Sequence, residues 1–121
     1  MVTKKELDAT PLVQHLIDKS RVGKLKWEPT ADRRAFVTSV GGQVTLKVRL
    51  ESVTDFGTFG QPEAVEVPRL DMLDDKGKVL WDIAGRDADA KLLSELYEVA
   101  RRFGNQLDER LASTMAALDK L

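Results

Sequence analysis

The spacing of apolar residues changes along this chain, and each change marks a different kind of element. Leu12, Val13, Leu16 and Ile17 fall on one face at helical spacing. Thr10 reads as the N-cap, Pro11 takes the first helical position where its missing N–H costs nothing, and Gly23 closes the segment. A helix is therefore predicted over 10–22. The residues before Ala9 read as a charged, frayed lead. After Gly23 the period drops to two. Leu25 and Trp27 alternate with Lys24, Lys26 and Glu28, which predicts a short strand ended by Pro29. Arg34 to Val40 is a second strand, and Gly41-Gly42 suits a primed two-residue hairpin turn. In the third strand, Val44, Leu46, Val48 and Leu50 point toward a core, while Thr45, Lys47, Arg49 and Glu51 point toward water.

Residues 54–63 carry Gly57, Gly60 and Pro62 without clear alternation and are expected to form the most mobile internal loop. Phe56 and Phe59 stand there as exposed aromatics suited to partner contact. Val65 and Val67 keep one alternation and Leu70 and Met72 the opposite one, so a bulge or break is predicted at Pro68-Arg69. Leu70 to Trp81 reads as a hairpin with Asp75-Lys76-Gly77 at its tip. Val79, Trp81 and Ile83 form its core face, with Trp81 largely buried.

From Asp87 onward Leu92, Leu96, Val99, Phe103, Leu107, Leu111, Met115 and Leu118 recur at threes and fours. Gly104-Asn105 interrupts this run. Gly104 can end one helix as a C′ glycine and Asn105 cap the next, or the helix can continue through the site. A continuous helix over 87–120 would run about 51 Å, well past strands of about 20 Å. Its stripe at Leu107, Leu111, Met115 and Leu118 would then need covering by a two-fold partner, whereas a turn at Gly104 lets the stripe fold back. The predicted class is α+β: an N-terminal helix, an antiparallel meander of four to five strands, and a C-terminal helix or pair of helices covering one sheet face.

Three segments carry a resemblance. Gly23-Lys24-Leu25-Lys26-Trp27-Glu28-Pro29-Thr30, the Asp75-Lys76-Gly77-Lys78-Val79-Leu80-Trp81 hairpin and Leu96-Tyr97-Glu98-Val99-Ala100-Arg101-Arg102 resemble a group of small uncharacterised bacterial proteins. The resemblance spans most of the chain and rests on structural signatures. It implies a bacterial source and no particular activity.

Length and composition narrow the rest. At 121 residues and 13.5 kDa the chain is expected to form one domain over 1–121. Its 42% apolar and 32% charged residues are those of a globular chain. The absence of cysteine excludes thiolate catalysis, zinc–thiolate sites and iron–sulfur clusters. A net charge of −1 offers no global field for nucleic acid. No apolar run reaches the ~18 residues of a membrane span, and Met1–Glu6 lacks a signal-peptide core, so a cytoplasmic location is expected.

Candidate chemistry is sparse. His15 is the only histidine, on the wet side of the first helix, with no second imidazole for a metal or base pair. Asp71, Asp74 and Asp75, with Asp82, Asp87 and Asp89, read as turn and cap residues before they read as a cation site. Gly41-Gly42-Gln43 matches a release-factor tripeptide but joins two strands. The serines lack a nucleophile-elbow context. Lys47 and Arg49 share one strand face and form a weak basic surface, with Arg33, Arg34, Lys24 and Lys26 on neighbouring segments. No catalytic, metal or cofactor-binding residue is assigned.

The leading reading is a non-enzymatic protein-interaction or regulatory module, self-associating or binding another protein. Phe56, Phe59, Leu111 and Met115 are its candidate contacts. The alternative is a small-molecule-binding or catalytic domain with a pocket between sheet and helices, lined by Trp27, Trp81, Tyr97 and Phe103. Nucleic-acid binding through Lys47 and Arg49 ranks third.

Overall fold

Antiparallel strands joined by short turns give a sheet whose spatial order follows the chain, and this sequence supplies the turns. The computed structural model describes residues 8–57 and 60–121, apart from the side chains at 107 and 108. The charged lead before Ala9 and the residue Phe59 thus fall wholly or largely outside the described residues. The elements are α1 (Thr10–Arg21), β1 (Glu28–Pro29), β2 (Ala35–Val40), β3 (Val44–Phe56), β4 (Pro62–Leu73), β5 (Val79–Ile83), α2 (Ala90–Gly104) and α3 (Leu107–Asp119). The five strands form one antiparallel sheet in the order β1-β2-β3-β4-β5, and the α+β class is as the sequence predicts. No helix among the described residues is long and apolar enough to cross a membrane.

One face of the sheet is the core face. Phe36, Leu46, Val48, Leu70 and Ile83 lie there, fully or almost fully buried with Leu93, Leu96, Tyr97 and Ala100 of α2 and Val13, Leu16 and Ile17 of α1. Helix α2 packs on strands β1 to β4, and α1 packs on α2. Asp89 caps α2 by accepting from the Lys91 and Leu92 amides at 2.8 and 3.3 Å. Asp87, the expected cap, instead accepts from the Ala84 amide at 3.0 Å. At the other end of the core the Trp27 indole N–H donates to the buried Ser20 hydroxyl at 2.8 Å, and Ser20 donates to the Leu16 carbonyl at 2.6 Å. That chain leaves neither polar group unsatisfied, as burial requires.

Several boundaries differ from the expectation for stated reasons. Ala9, not Thr10, is the N-cap of α1. Val40 pairs with Val44, so the β2–β3 turn has three residues, with Gly41 and Gly42 both at positive φ. The predicted loop 54–63 is mostly strand. Leu50 to Phe56 pairs without slip with Pro62 to Pro68, and only the tip lies outside the ladder. No bulge occurs at Pro68-Arg69. The irregularity lies instead between Met72 and Leu73 where they meet β5, and it turns Val79 away from the core face, leaving it exposed. Trp81 is half-buried against the core rather than enclosed. Trp81→Ala is accordingly expected to cost about half of the roughly 3–5 kcal/mol of a fully buried aromatic, as read by urea unfolding.

The C-terminal segment takes the broken form, as a pair of helices. It breaks at Gln106, which holds a left-handed conformation (φ 53°). The second helix then does not return to the sheet. Among the described residues α3 packs on α2, and residues 109–121 are exposed.

Candidate interaction surfaces

A 13-residue helix standing alone is marginal in water, because nucleation is costly and little burial offsets it. α3 is nevertheless amphipathic in sequence, with Leu111 62%, Met115 54% and Leu118 55% exposed. Leu111 and Met115, singled out from the sequence, are therefore free of the body of the protein. The charged residues of α3 are Asp108, Glu109, Arg110 and Asp119, with Lys120 directly after it. The helix thus carries an apolar stripe and a small net negative charge.

Phe56 lies at the outer end of β3 and is 68% exposed. Beyond Arg49, which pairs with the first residue of β2, and beyond Leu70, which pairs with the last of β5, only β3 and β4 continue. They form a two-stranded ribbon about 23 Å long. The chain exposes 8,958 Å² against roughly 6,500 Å² for a compact protein of this mass, and both the ribbon and α3 contribute to that excess.

Lys47 and Arg49 do share the open face of β3, but that face is not basic. Arg49 Nε donates to Asp71 Oδ2 at 2.8 Å and Arg49 Nη2 lies 3.9 Å from Asp82 Oδ1. Arg69 Nη1 donates to Asp82 Oδ2 at 3.1 Å, and Arg69 Nε meets Glu51 Oε2. The hydrogen bond that Arg49 donates to Asp71, more than any other effect, holds the Arg49 guanidinium pKa above its ordinary value, against the opposing effect of burial. Glu51 Oε2, Arg69 Nε and Asp82 Oδ1 are closed off from water and make no well-aligned hydrogen bond, so charge alone binds them. Arg49 lies directly opposite Arg69 in the ladder, and Asp71 directly opposite Asp82. Like charges so placed repel. Each pair here is the other's counter-ion. The partners come from three strands, and their register could not be read from the sequence.

The aromatic residues of the pocket reading do not gather around a cleft. Trp27 and Tyr97 are buried in the core, where the Phe36 and Tyr97 rings meet at 6.0 Å and 52°, and burial pushes the Tyr97 phenol pKa up. Phe103 is partly exposed on α2. A cleft of about 400 Å³ does lie at the α2–α3 joint, lined by Pro29, Thr30, Asp32, Arg33, Phe36, Asn105 and Arg110, and it contains none of those four aromatics. Asp32 there serves its own turn, accepting from the Arg34 amide at 2.9 Å. His15 is exposed on α1. Asp74 accepts from the Lys76 and Lys78 amides at 2.9 and 2.8 Å, as a turn residue does. No group of three or more histidine or acidic side chains among the described residues is arranged to hold a metal ion.

Comparison with family models, with curated proteins and with solved structures finds no match to this chain.

Proposed function

We propose that the chain is a non-enzymatic protein-interaction module of the bacterial cytoplasm that self-associates through α3. The observation that carries this reading is the apolar stripe of α3, exposed at Leu111, Met115 and Leu118 on a helix that, among the described residues, packs on α2. Such a stripe gains most from an apolar surface of its own kind, which a second copy of α3 supplies. Ala112, Ala116 and Ala117 let two helices approach closely. A helix about 20 Å long cannot by itself bury the ~1,200 Å² of a firm interface. Association is therefore weak, with a dissociation constant on the order of tens of micromolar.

The double variant Leu111→Glu/Met115→Glu tests this reading. Both side chains are exposed, so its urea stability should stay within about 0.5 kcal/mol of the parent while its sedimentation becomes that of a monomer at every concentration. A variant that still associates like the parent removes α3 as the interface. A variant that unfolds would mean α3 packs on the body of the domain.

A further inference from the structure

In an antiparallel strand each residue turns its N–H and C=O to the same side, and successive residues alternate between the two sides. The Leu50 amide donates to the Arg34 carbonyl on the β2 side at 3.0 Å, and the Gly57 amide donates to Gln61 on the β4 side at 3.2 Å. Odd residues of β3 therefore bond β4, and even residues face outward. Among the described residues no strand lies beside β3 past Arg34, so the N–H and C=O groups of Ser52, Thr54 and Phe56 form an open edge.

The other edge of the ribbon is different. Leu50 pairs with Pro68 and Phe56 with Pro62, so both prolines of β4 also turn outward. A proline has no N–H to give. That edge is blunted in the way sheets commonly guard themselves. The β3 edge has no such guard.

Charge then selects the occupant. Residues 50–68 contain Glu51, Asp55, Glu63 and Glu66 and no lysine or arginine. Glu66 is taken by Arg34 at 2.8 Å and Glu51 by Arg69. Asp55 and Glu63 face each other directly across the ribbon on the open face, and no described cation pairs with either. This is the like-charge arrangement that the Arg49–Asp71–Asp82–Arg69 cluster neutralises further down the same two strands. Here no counter-charge stands among the described residues. A second copy of the ribbon would bring more acid and be repelled.

We infer that the outer edge of β3 at Ser52, Thr54 and Phe56 is a docking site for an extended, basic peptide segment of a partner protein, which adds as a strand. Alternation dictates the form of that segment. Its basic side chains lie on the open face beside Asp55, with Glu63 one strand further on, and its apolar ones lie on the opposite face beside Phe56. This site does not depend on α3.

The probe is a blocked peptide of three Lys-Val repeats, titrated into the full chain and followed by amide exchange and chemical shift. The amides of Ser52, Thr54 and Phe56 should gain protection, and a Glu-Val peptide of the same length should give none. Thr54→Pro removes one outward donor while copying the outward prolines of β4, and it should weaken binding roughly tenfold. Unchanged exchange at the inward Val53 and Val65 amides verifies its ladder. Asp55→Asn/Glu63→Gln, which keeps every backbone donor, should weaken binding roughly tenfold as well. Equal protection by the Glu-Val peptide overturns the proposal. So does protection centred on Ala64 and Glu66, or undiminished binding to the Asp55→Asn/Glu63→Gln chain.

Discussion

Gly104→Ala is expected to destabilise the domain by about 1–3 kcal/mol, although alanine favours a helix over glycine by roughly 1 kcal/mol. A Cβ on Gly104 would sit 2.6 Å from Cδ1 and 3.1 Å from Cε1 of Phe36, whose ring is enclosed in the core. Glycine is therefore present to admit a ring. Its φ is not positive, and the left-handed residue that ends the helix run is Gln106. The two positions should behave as one unit. Phe36→Ala alone should cost about 3–5 kcal/mol through the cavity it leaves. Phe36→Leu should return most of what Gly104→Ala loses, because the smaller side chain vacates the space the new methyl needs. Urea unfolding of the four chains closes this cycle, and additive losses would mean that Gly104 and Phe36 do not share the space.

The second large effect lies on the open face. Asp71 is 7% exposed and accepts from Arg49. Asp71→Ala should cost about 2–4 kcal/mol, because it leaves Arg49 facing Arg69 without its hydrogen-bonded carboxylate and with Asp82, 3.9 Å away and shared with Arg69, as its nearest counter-ion. Replacing the pair together, as Arg49→Met/Asp71→Leu, should recover most of that loss, since apolar residues of similar size need no counter-charge. If Asp71→Ala proves neutral, the charged cluster is solvated and contributes little. Thermal or urea unfolding of the single and double variants reads the difference.

Both effects concern features that the amino-acid pattern hides. The pattern of α1, the first eight residues of β3 and the order of the strands were legible because each element buries one face and so imposes its period on the sequence. Val65 and Val67 against Leu70 and Met72 were misread as a backbone slip at Pro68. The strand is continuous there, and what changes is the cover. Near Leu70 the apolar positions face α2. Out on the ribbon Val53, Val65 and Val67 lie on the other face. Period alone cannot tell a slipped strand from a strand whose apolar face has changed. Gly57, Gly60 and Pro62 suggested a long loop, yet they shape only the hairpin tip, and Pro62 is admitted into β4 because its nitrogen points outward. Gly104 does end α2, but what requires glycine there, the Phe36 ring, lies far away in sequence.

The candidate contacts divide in the same way. Leu111, Met115 and Phe56 were legible as apolar residues with nothing obvious to cover them, and the fold leaves them exposed. Lys47 and Arg49 were legible as a shared face but not as members of a balanced cluster, since Asp71, Asp82 and Arg69 arrive only through strand register.

Sedimentation equilibrium of the unmodified chain tests self-association through α3 most directly. Across about 1 to 300 µM the weight-average mass should climb from the 13.5 kDa of one chain toward twice that value. A single 13.5 kDa species over the whole range would contradict the account.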